Sequence, residues 1–157
     1  MIDQVFSGQH LKPVIQRIEG RNYPVLPPTE YTFYMLHHML KHYLYSGFGI
    51  RLLCDFICYV EARCEEIDFD RLHAWCRKSH MMHFYETIME SCHRYLGLGC
   101  EIDGSIRGDQ EVSRKFIEKI LVDKDVGSGD SRTLVGSGTY EKVHLGTYFR
   151  EGHLQMK

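Results

Sequence analysis

The sequence has no long apolar run and no strong excess of either charge. No stretch approaches the ~20 apolar residues that a helix needs to span a bilayer. The first residues also lack the basic and apolar regions of a signal peptide. The formal net charge is −2, and such a balance does not imply a basic nucleic-acid surface. We therefore expect a cytoplasmic protein with neither a membrane nor a nucleic-acid partner.

Common catalytic motifs are absent as well. The chain contains no Gly-x-Ser-x-Gly elbow, no His-Glu-x-x-His motif and no Walker loop. Residues 134–143 are similar to the glycine-rich loop of protein kinases, but Glu141 replaces the third glycine. Too few residues follow to supply the lysine and the metal-binding aspartate that kinase chemistry requires. We interpret this similarity as a coincidence.

The composition is that of an ordinary globular protein. Apolar residues make up 43% and charged residues 25% of the 157 residues, which is enough for one domain with its own core. The cysteines lie within apolar helical patterns in a sequence without export signals, so we predict reduced, buried thiols rather than disulfides. The six cysteines are Cys54, Cys58, Cys64, Cys76, Cys92 and Cys100.

Glycine and proline divide the chain into three parts. Residues 1–28 read as an extended segment, in which two short extended pieces flank a turn at Gly20. Pro27 and Pro28 separate this segment from a helical domain over residues 29–123, because proline interrupts helical hydrogen bonding. Residues 124–157 carry glycine-rich stretches and no helical periodicity. This pattern indicates a tail that is flexible or ordered by a partner.

Apolar residues at helical spacing predict five helices in the middle part. The first starts at Thr29 with a capping hydroxyl and is apolar on most of its circumference, so we expect it to be the buried, central helix. The others are predicted over 49–65, from Asp68, from Ser79 to Gly97, and over 109–123. The predicted fold is mainly α: an irregular four- to five-helix bundle, preceded by a short extended segment and followed by a loop-rich C-terminal tail.

Polar residues cluster in the first two predicted helices. His38 and His42 lie one helical turn apart, as do Arg51 and Asp55, and a helical hairpin could bring these four side chains together. In one interpretation the cluster is structural, and an exposed Arg51–Asp55 pair contributes a few tenths of a kcal/mol. In the other, Arg51 and Lys41 form or complete an anion-binding site. Spacing favours the structural interpretation, and no catalytic residue is assigned.

A zinc site is a third, weaker alternative for the same helices. The pairs His38/His42 and Cys54/Cys58 would together supply two histidines and two cysteines for tetrahedral coordination. Two cysteines four residues apart on a helix are also what two inward core positions look like. Because the short cysteine knuckles of structural zinc sites are absent, we predict no metal site.

Several motifs of the helical part follow one another in a characteristic order. They are Leu26-Pro27-Pro28-Thr29-Glu30-Tyr31, His37-His38-x-x-Lys41-His42, Gly47-Phe48-Gly49-Ile50-Arg51-x-x-x-Asp55 and Ile67-Asp68-Phe69. This order and spacing resemble the uncharacterised bacterial nucleotidyltransferase family, within the polymerase-β-like nucleotidyltransferase superfamily. The resemblance is clear over residues 14–123 and weak in the tail. It carries over His42, Arg51 and Asp55 as matching polar positions, with Lys41 as a further candidate.

The resemblance implies transfer of a nucleotidyl group from a nucleoside triphosphate to an unknown acceptor. In such enzymes Mg²⁺ is held by carboxylates on strands that follow a Gly-Ser turn. This sequence has no Gly-Ser turn followed by an Asp-x-Asp strand, and Gly136-Ser137 lies near its C-terminus. The resemblance therefore covers only the C-terminal helical part of the family. Mg²⁺ and nucleoside triphosphate are implied for the full-length family and are not expected on this chain alone.

Three explanations follow from this missing core. The chain is a truncated or split nucleotidyltransferase, a helical module that acts with a separate catalytic half, or a degenerate binding protein. A missing half predicts exposed apolar surface on the first two helices, and therefore association with a partner or self-association. The alternative from another class is a non-enzymatic helical protein-interaction module.

Overall fold

The computed structural model describes residues 12–46, 48–100 and 108–122. Within these ranges two strands precede five α-helices. They are β1 (Val14–Ile18), β2 (Arg21–Val25), α1 (Pro28–Lys41), α2 (Ile50–Arg63), α3 (Phe69–Lys78), α4 (Met82–Leu96) and α5 (Gln110–Val122). A π-helical turn, His42–Ser46, extends α1, and a 3-10 turn, Cys64–Glu66, extends α2. The predicted mainly helical fold is confirmed, whereas the predicted tail, residues 124–157, lies outside the described residues.

The extended segment is an antiparallel hairpin. Glu19 and Gly20 form its turn with φ angles of 48° and 79°, as a two-residue turn of type I′ requires. Val14 then lies opposite Val25, and Ile18 lies opposite Arg21. Because a two-stranded sheet is marginally stable by itself, its position depends on contacts with the helices.

The first helix is buried on one side only. Pro28 lies in its first turn, where the missing N–H costs nothing. Phe33, Leu36 and Met39 are buried against the rest of the bundle. Tyr31, Tyr34 and His38 are exposed on another face, so the prediction of an all-round buried helix is wrong. The reason is that α1 packs against α2 and α3, and these neighbours do not surround it.

The second helix buries a different face from the predicted one, which contained its two cysteines. Leu53, Phe56 and Val60 form its buried stripe. Cys54 and Cys58 are exposed. Both stripes have helical spacing in the sequence, and the larger Phe56 and Val60 side chains take the inward positions.

Two polar residues that were predicted to cap the N-terminus of a helix, Thr29 and Ser79, have other roles. The Thr29 hydroxyl does not cap α1; it accepts a hydrogen bond of 2.9 Å from the Asp68 backbone N–H and so joins α1 to α3. Ser79 follows the last residue of α3 rather than capping α4. Two predictions of this kind are confirmed: the Asp68 carboxylate caps α3 through the Arg71 N–H, and Gly97 ends α4 with a left-handed φ of 77°.

The core is closed by aromatic rings from several parts of the chain. The Phe116 ring of α5 lies 5.4 Å from Phe48 and 5.6 Å from Tyr43, measured between ring centroids. The Phe84 ring of α4 lies 6.1 Å from Tyr43. These separations are within the favourable range for aromatic pairs. The cluster therefore attaches α5 to the preceding helices.

The predicted state of the cysteines is wrong for four of the six. Cys64 and Cys100 form a disulfide with 5.9 Å between their Cα atoms, a separation that suits a disulfide. Cys54 and Cys58 are free and exposed, while Cys76 and Cys92 are free and buried as predicted. Burial raises the pKa of Cys92 to about 12, so this thiol stays protonated at neutral pH.

An ion pair joins the first turns of α1 and α3. The Arg71 guanidinium donates a hydrogen bond to the Glu30 carboxylate. The Glu30 side chain is only 8% exposed, whereas that of Arg71 is 44% exposed. The Arg71 guanidinium also lies 4.6 Å from the centroid of the Trp75 ring, within range of a cation–π contact. A buried carboxylate therefore depends on one arginine for its charge compensation.

Replacing Arg71 by alanine is expected to lower the free energy of unfolding by about 2–3 kcal/mol. Breaking a fully buried pair costs about 3–5 kcal/mol because one charge is left uncompensated, and the exposure of Arg71 reduces this value. Urea denaturation measures the change. Arg51→Ala, which removes one member of an exposed surface pair, is the matched control and should change stability by less than about 0.5 kcal/mol. Equal effects of the two variants would contradict the prediction.

Candidate functional site

The exposed face of α1 carries a row of aromatic and imidazole rings. The Tyr31 ring lies 6.1 Å from Tyr34, and Tyr34 lies 6.0 Å from His38. His38 lies 4.4 Å from His42, where α1 passes into the π-helical turn. At the other end, Tyr31 packs on Tyr59 of α2 at 4.7 Å. We call these five residues the aromatic row.

Two members of the aromatic row, His38 and Tyr59, have pKa values that favour their uncharged forms. Burial lowers the pKa of His38, and the neighbouring His42 and Lys41 lower it further because they disfavour a second positive charge. Burial also raises the pKa of Tyr59, an effect that Arg63 partly opposes. His38 is therefore an uncharged ring, and Tyr59 keeps its hydroxyl proton.

The structure brings the predicted polar residues together only in pairs. His38 and His42 are in contact, and Lys41 is exposed beside them. On α2 the Arg51 Nε lies 4.0 Å from the Asp55 Oδ2, with side-chain exposures of 91% and 63%. Within the described residues no hydrogen bond or ion pair joins the histidines to this second pair. The predicted functional role of these five residues stays a prediction.

A cleft that the sequence did not suggest lies between the hairpin and the helices. Its volume is about 390 Å³. Val14 and Val25 form part of its apolar wall, and Tyr31 and Tyr59 form an aromatic one. An ion pair of 2.8 Å between Arg63 and Glu66 lies at the polar side, and this bond raises the pKa of Arg63. The sequence gives no signal for the cleft, because its walls come from four separate elements.

The described residues do not fit a divalent metal of the kind that nucleotidyl transfer uses. No group of three or more His, Cys, Asp or Glu side chains among them is placed to hold a metal ion. An Asp-x-Asp spacing does occur at Asp68 and Asp70, but it lies at the start of a helix and Asp68 is engaged as its cap. A strand would point both carboxylates to one face. The zinc set of His38, His42, Cys54 and Cys58, which the sequence offered as a weaker alternative, is likewise not assembled among the described residues.

The fold and this surface define a class: a small helical domain with an N-terminal hairpin, an exposed aromatic face and no metal centre among its described residues. Residues 8–97 match the model of the uncharacterised nucleotidyltransferase family. The chain belongs to this family, as the motif order predicts. The match includes the hairpin and α1 to α4 and stops before α5. No curated protein matches the chain, and no solved structure does.

Proposed function

We propose that this chain serves nucleotidyl transfer in the cytoplasm as the helical, substrate-binding part of the enzyme. The metal-binding carboxylates would come from residues beyond the described ones or from a separate catalytic half. The family match carries this proposal, since it spans the hairpin, the cleft and the aromatic row. The poor fit of the described residues to a divalent metal supports the division of labour.

The exposed apolar residues support association with a catalytic part. The hairpin and the first half of α1 expose Val14, Ile15, Ile18, Tyr23, Tyr31 and Tyr34. The predicted apolar surface lay on the first two helices. The observed exposed apolar side chains lie on the hairpin and α1, and α2 exposes no large apolar side chain. Contiguous exposed apolar patches commonly mark interaction sites.

Pyrophosphate release tests whether the chain is active alone. The full chain is incubated with Mg²⁺ and each of the common nucleoside triphosphates, and pyrophosphate is measured over time. No release above a protein-free control is expected, because the described residues hold no pair of metal-binding carboxylates on adjacent strands. Release that depends on Mg²⁺ and on this protein would show that the chain contains its own catalytic core.

The coding sequence upstream of Met1 tests the source of the carboxylates. An in-frame segment with a Gly-Ser turn and an Asp-x-Asp strand would support one polypeptide that is cut short here. Unrelated sequence there would contradict that version and leave a separate catalytic chain.

A non-enzymatic interaction module is the second candidate, and the same exposed hairpin favours it. Calorimetric titration of the full chain with Mg²⁺ and nucleoside triphosphates separates the two functions. Binding of nucleotide is expected for a substrate-binding part. Absence of binding, together with a stable complex with another cellular protein, would favour the module.

A further inference from the structure

The register of the hairpin shows which backbone groups point away from it. The turn at Glu19 and Gly20 makes Ile18 and Arg21 a pair that exchanges backbone hydrogen bonds. Such pairs alternate along an antiparallel ladder with pairs that exchange none. Every second residue of each strand, counted from the turn, therefore directs its N–H and C=O groups outward.

One edge of the hairpin is blocked and the other is open. The outward residues are Asn22 and Pro24 on β2, and Ile15 and Arg17 on β1. Pro24 has no N–H, so it interrupts the row of donors on the β2 edge without costing a ladder bond. The β1 edge keeps both of its donors. Among the described residues no further backbone hydrogen bond reaches Ile15 or Arg17.

The described helices lie against a face of the hairpin rather than against this edge. Val14, Gln16 and Val25 border the cleft, and these three share one face because residues two apart or directly opposite point the same way. Ile15, which points to the other face, is 60% exposed. An unpaired edge with exposed apolar side chains is a template for a further strand.

The β1 strand is complementary to a second copy of itself. With a two-fold axis at Gln16, Ile15 of each copy lies opposite Arg17 of the other, and these are the residues with open backbone groups. Each of the two pairs exchanges two hydrogen bonds. On the other face, Val14 lies opposite Ile18 of the other copy and forms an apolar cross-strand pair.

The charges of the segment suit this pairing. Charged residues often protect an edge strand from another strand, but Arg17 lies opposite Ile15 in this register and not opposite a second cation. Lys12 precedes the strand and Glu19 follows it. In the same register Lys12 of each copy lies next to Glu19 of the other, so opposite charges meet at both ends of the paired strands.

We propose that two copies of this chain pair through the open edges of β1 and form one continuous four-stranded antiparallel sheet. A two-stranded sheet is marginally stable by itself, and this pairing supplies the additional strands. The interface is a two-fold one, the commonest symmetry of protein dimers. It uses the strand edge and leaves the tyrosine face of α1 open to the catalytic part. The proposal does not rest on nucleotidyl transfer.

Light scattering and analytical ultracentrifugation of the full chain over a range of concentrations test the proposal. A reversible equilibrium between monomer and dimer is expected. Ile15→Pro should raise the dissociation constant of the dimer about thirtyfold or more, because each copy loses one N–H donor and the proline ring separates the strands. Ile15→Val keeps the N–H and the branched side chain, and its dissociation constant should stay within about threefold.

Asn22→Pro is the matched control, because Asn22 is an outward residue of the β2 edge, which Pro24 already interrupts. It should leave the dissociation constant unchanged, and circular dichroism should show that both proline variants are folded. Equal weakening of the dimer by Ile15→Pro and Asn22→Pro would overturn the proposal, as would a monomeric mass at every concentration.

Amide hydrogen exchange followed by NMR is a second test that needs no variant. The amides of Ile15 and Arg17 should exchange more slowly as the protein concentration rises, whereas the amide of Asn22 should not change. A dimer in which Ile15 and Arg17 exchange as fast as in the monomer would contradict pairing at this edge. A dimer that Tyr34→Ala removes and Ile15→Pro leaves intact would place the interface on the tyrosine face instead.

Discussion

Replacing Phe116 by alanine is expected to lower the free energy of unfolding by about 3–5 kcal/mol. The Phe116 side chain is fully buried, and its ring contacts those of Tyr43 and Phe48. Removing it leaves a cavity at the point where α5 meets the end of α1 and the start of α2. Urea denaturation followed by circular dichroism measures the loss. Phe116→Leu, which keeps most of the volume, should cost about 1–1.5 kcal/mol and provides a value if the alanine variant does not fold.

Leu121→Ala is the control for this experiment. Leu121 lies on the same helix and is 59% exposed, so its loss should change stability by less than about 0.5 kcal/mol. The comparison bears on the extent of the domain, because the family match ends at residue 97 and α5 begins at residue 110. A cost below about 1 kcal/mol for Phe116→Ala would show that α5 is not part of the core.

Replacing Cys64 by serine is expected to lower the free energy of unfolding by about 4 kcal/mol under oxidising conditions. The Cys64–Cys100 disulfide closes a loop with a sequence separation of 36 residues, and the loop-closure entropy of the unfolded chain gives this magnitude. In a reducing buffer the difference between the two proteins should nearly disappear. Denaturation with and without a reducing agent measures both values.

Cys58→Ser is the matched control, since Cys58 lies on the preceding helix with a free, exposed thiol. It should leave stability unchanged in both buffers. In the reducing cytoplasm that the sequence predicts, Cys64 and Cys100 would be thiols. The carboxylate of Glu61 also holds this segment, because it accepts hydrogen bonds from the backbone N–H groups of Gly99 and Cys100. A Cys64→Ser loss that persists at full size in the reducing buffer would contradict the loop-closure explanation.

The helices could be predicted because the signals that form them are local. Asp68 and Gly97 sit where a cap and a left-handed terminus are needed, and the apolar stripe of α4 follows the helical repeat. The hairpin turn at Glu19-Gly20 is local in the same way. The family could also be predicted, since it depends on motif order rather than on contacts.

The buried face of a helix was harder to predict where apolar residues occur at helical spacing on two faces. On α2, Cys54 and Cys58 have the same helical spacing as Phe56 and Val60, and only the packing of α1 and α4 against this helix exposes the cysteines. On α1, the tyrosines are apolar enough to be read as core, yet α2 and α3 cover mainly the opposite face, and α2 contacts the tyrosine face only where Tyr59 meets Tyr31. Amphipathic residues such as tyrosine satisfy either position, so their exposure is decided by neighbours.

The sequence by itself determined the helices, the hairpin and the family, because each depends on residues close together in the chain or on motif order. Tertiary structure alone decided the partners of distant residues. It paired Cys64 with Cys100 and Glu30 with Arg71, and it formed the cleft from four separate elements. Contacts across 36 or 41 residues depend on how whole helices pack. For the same reason only the fold showed that the rings of α1 form an exposed row.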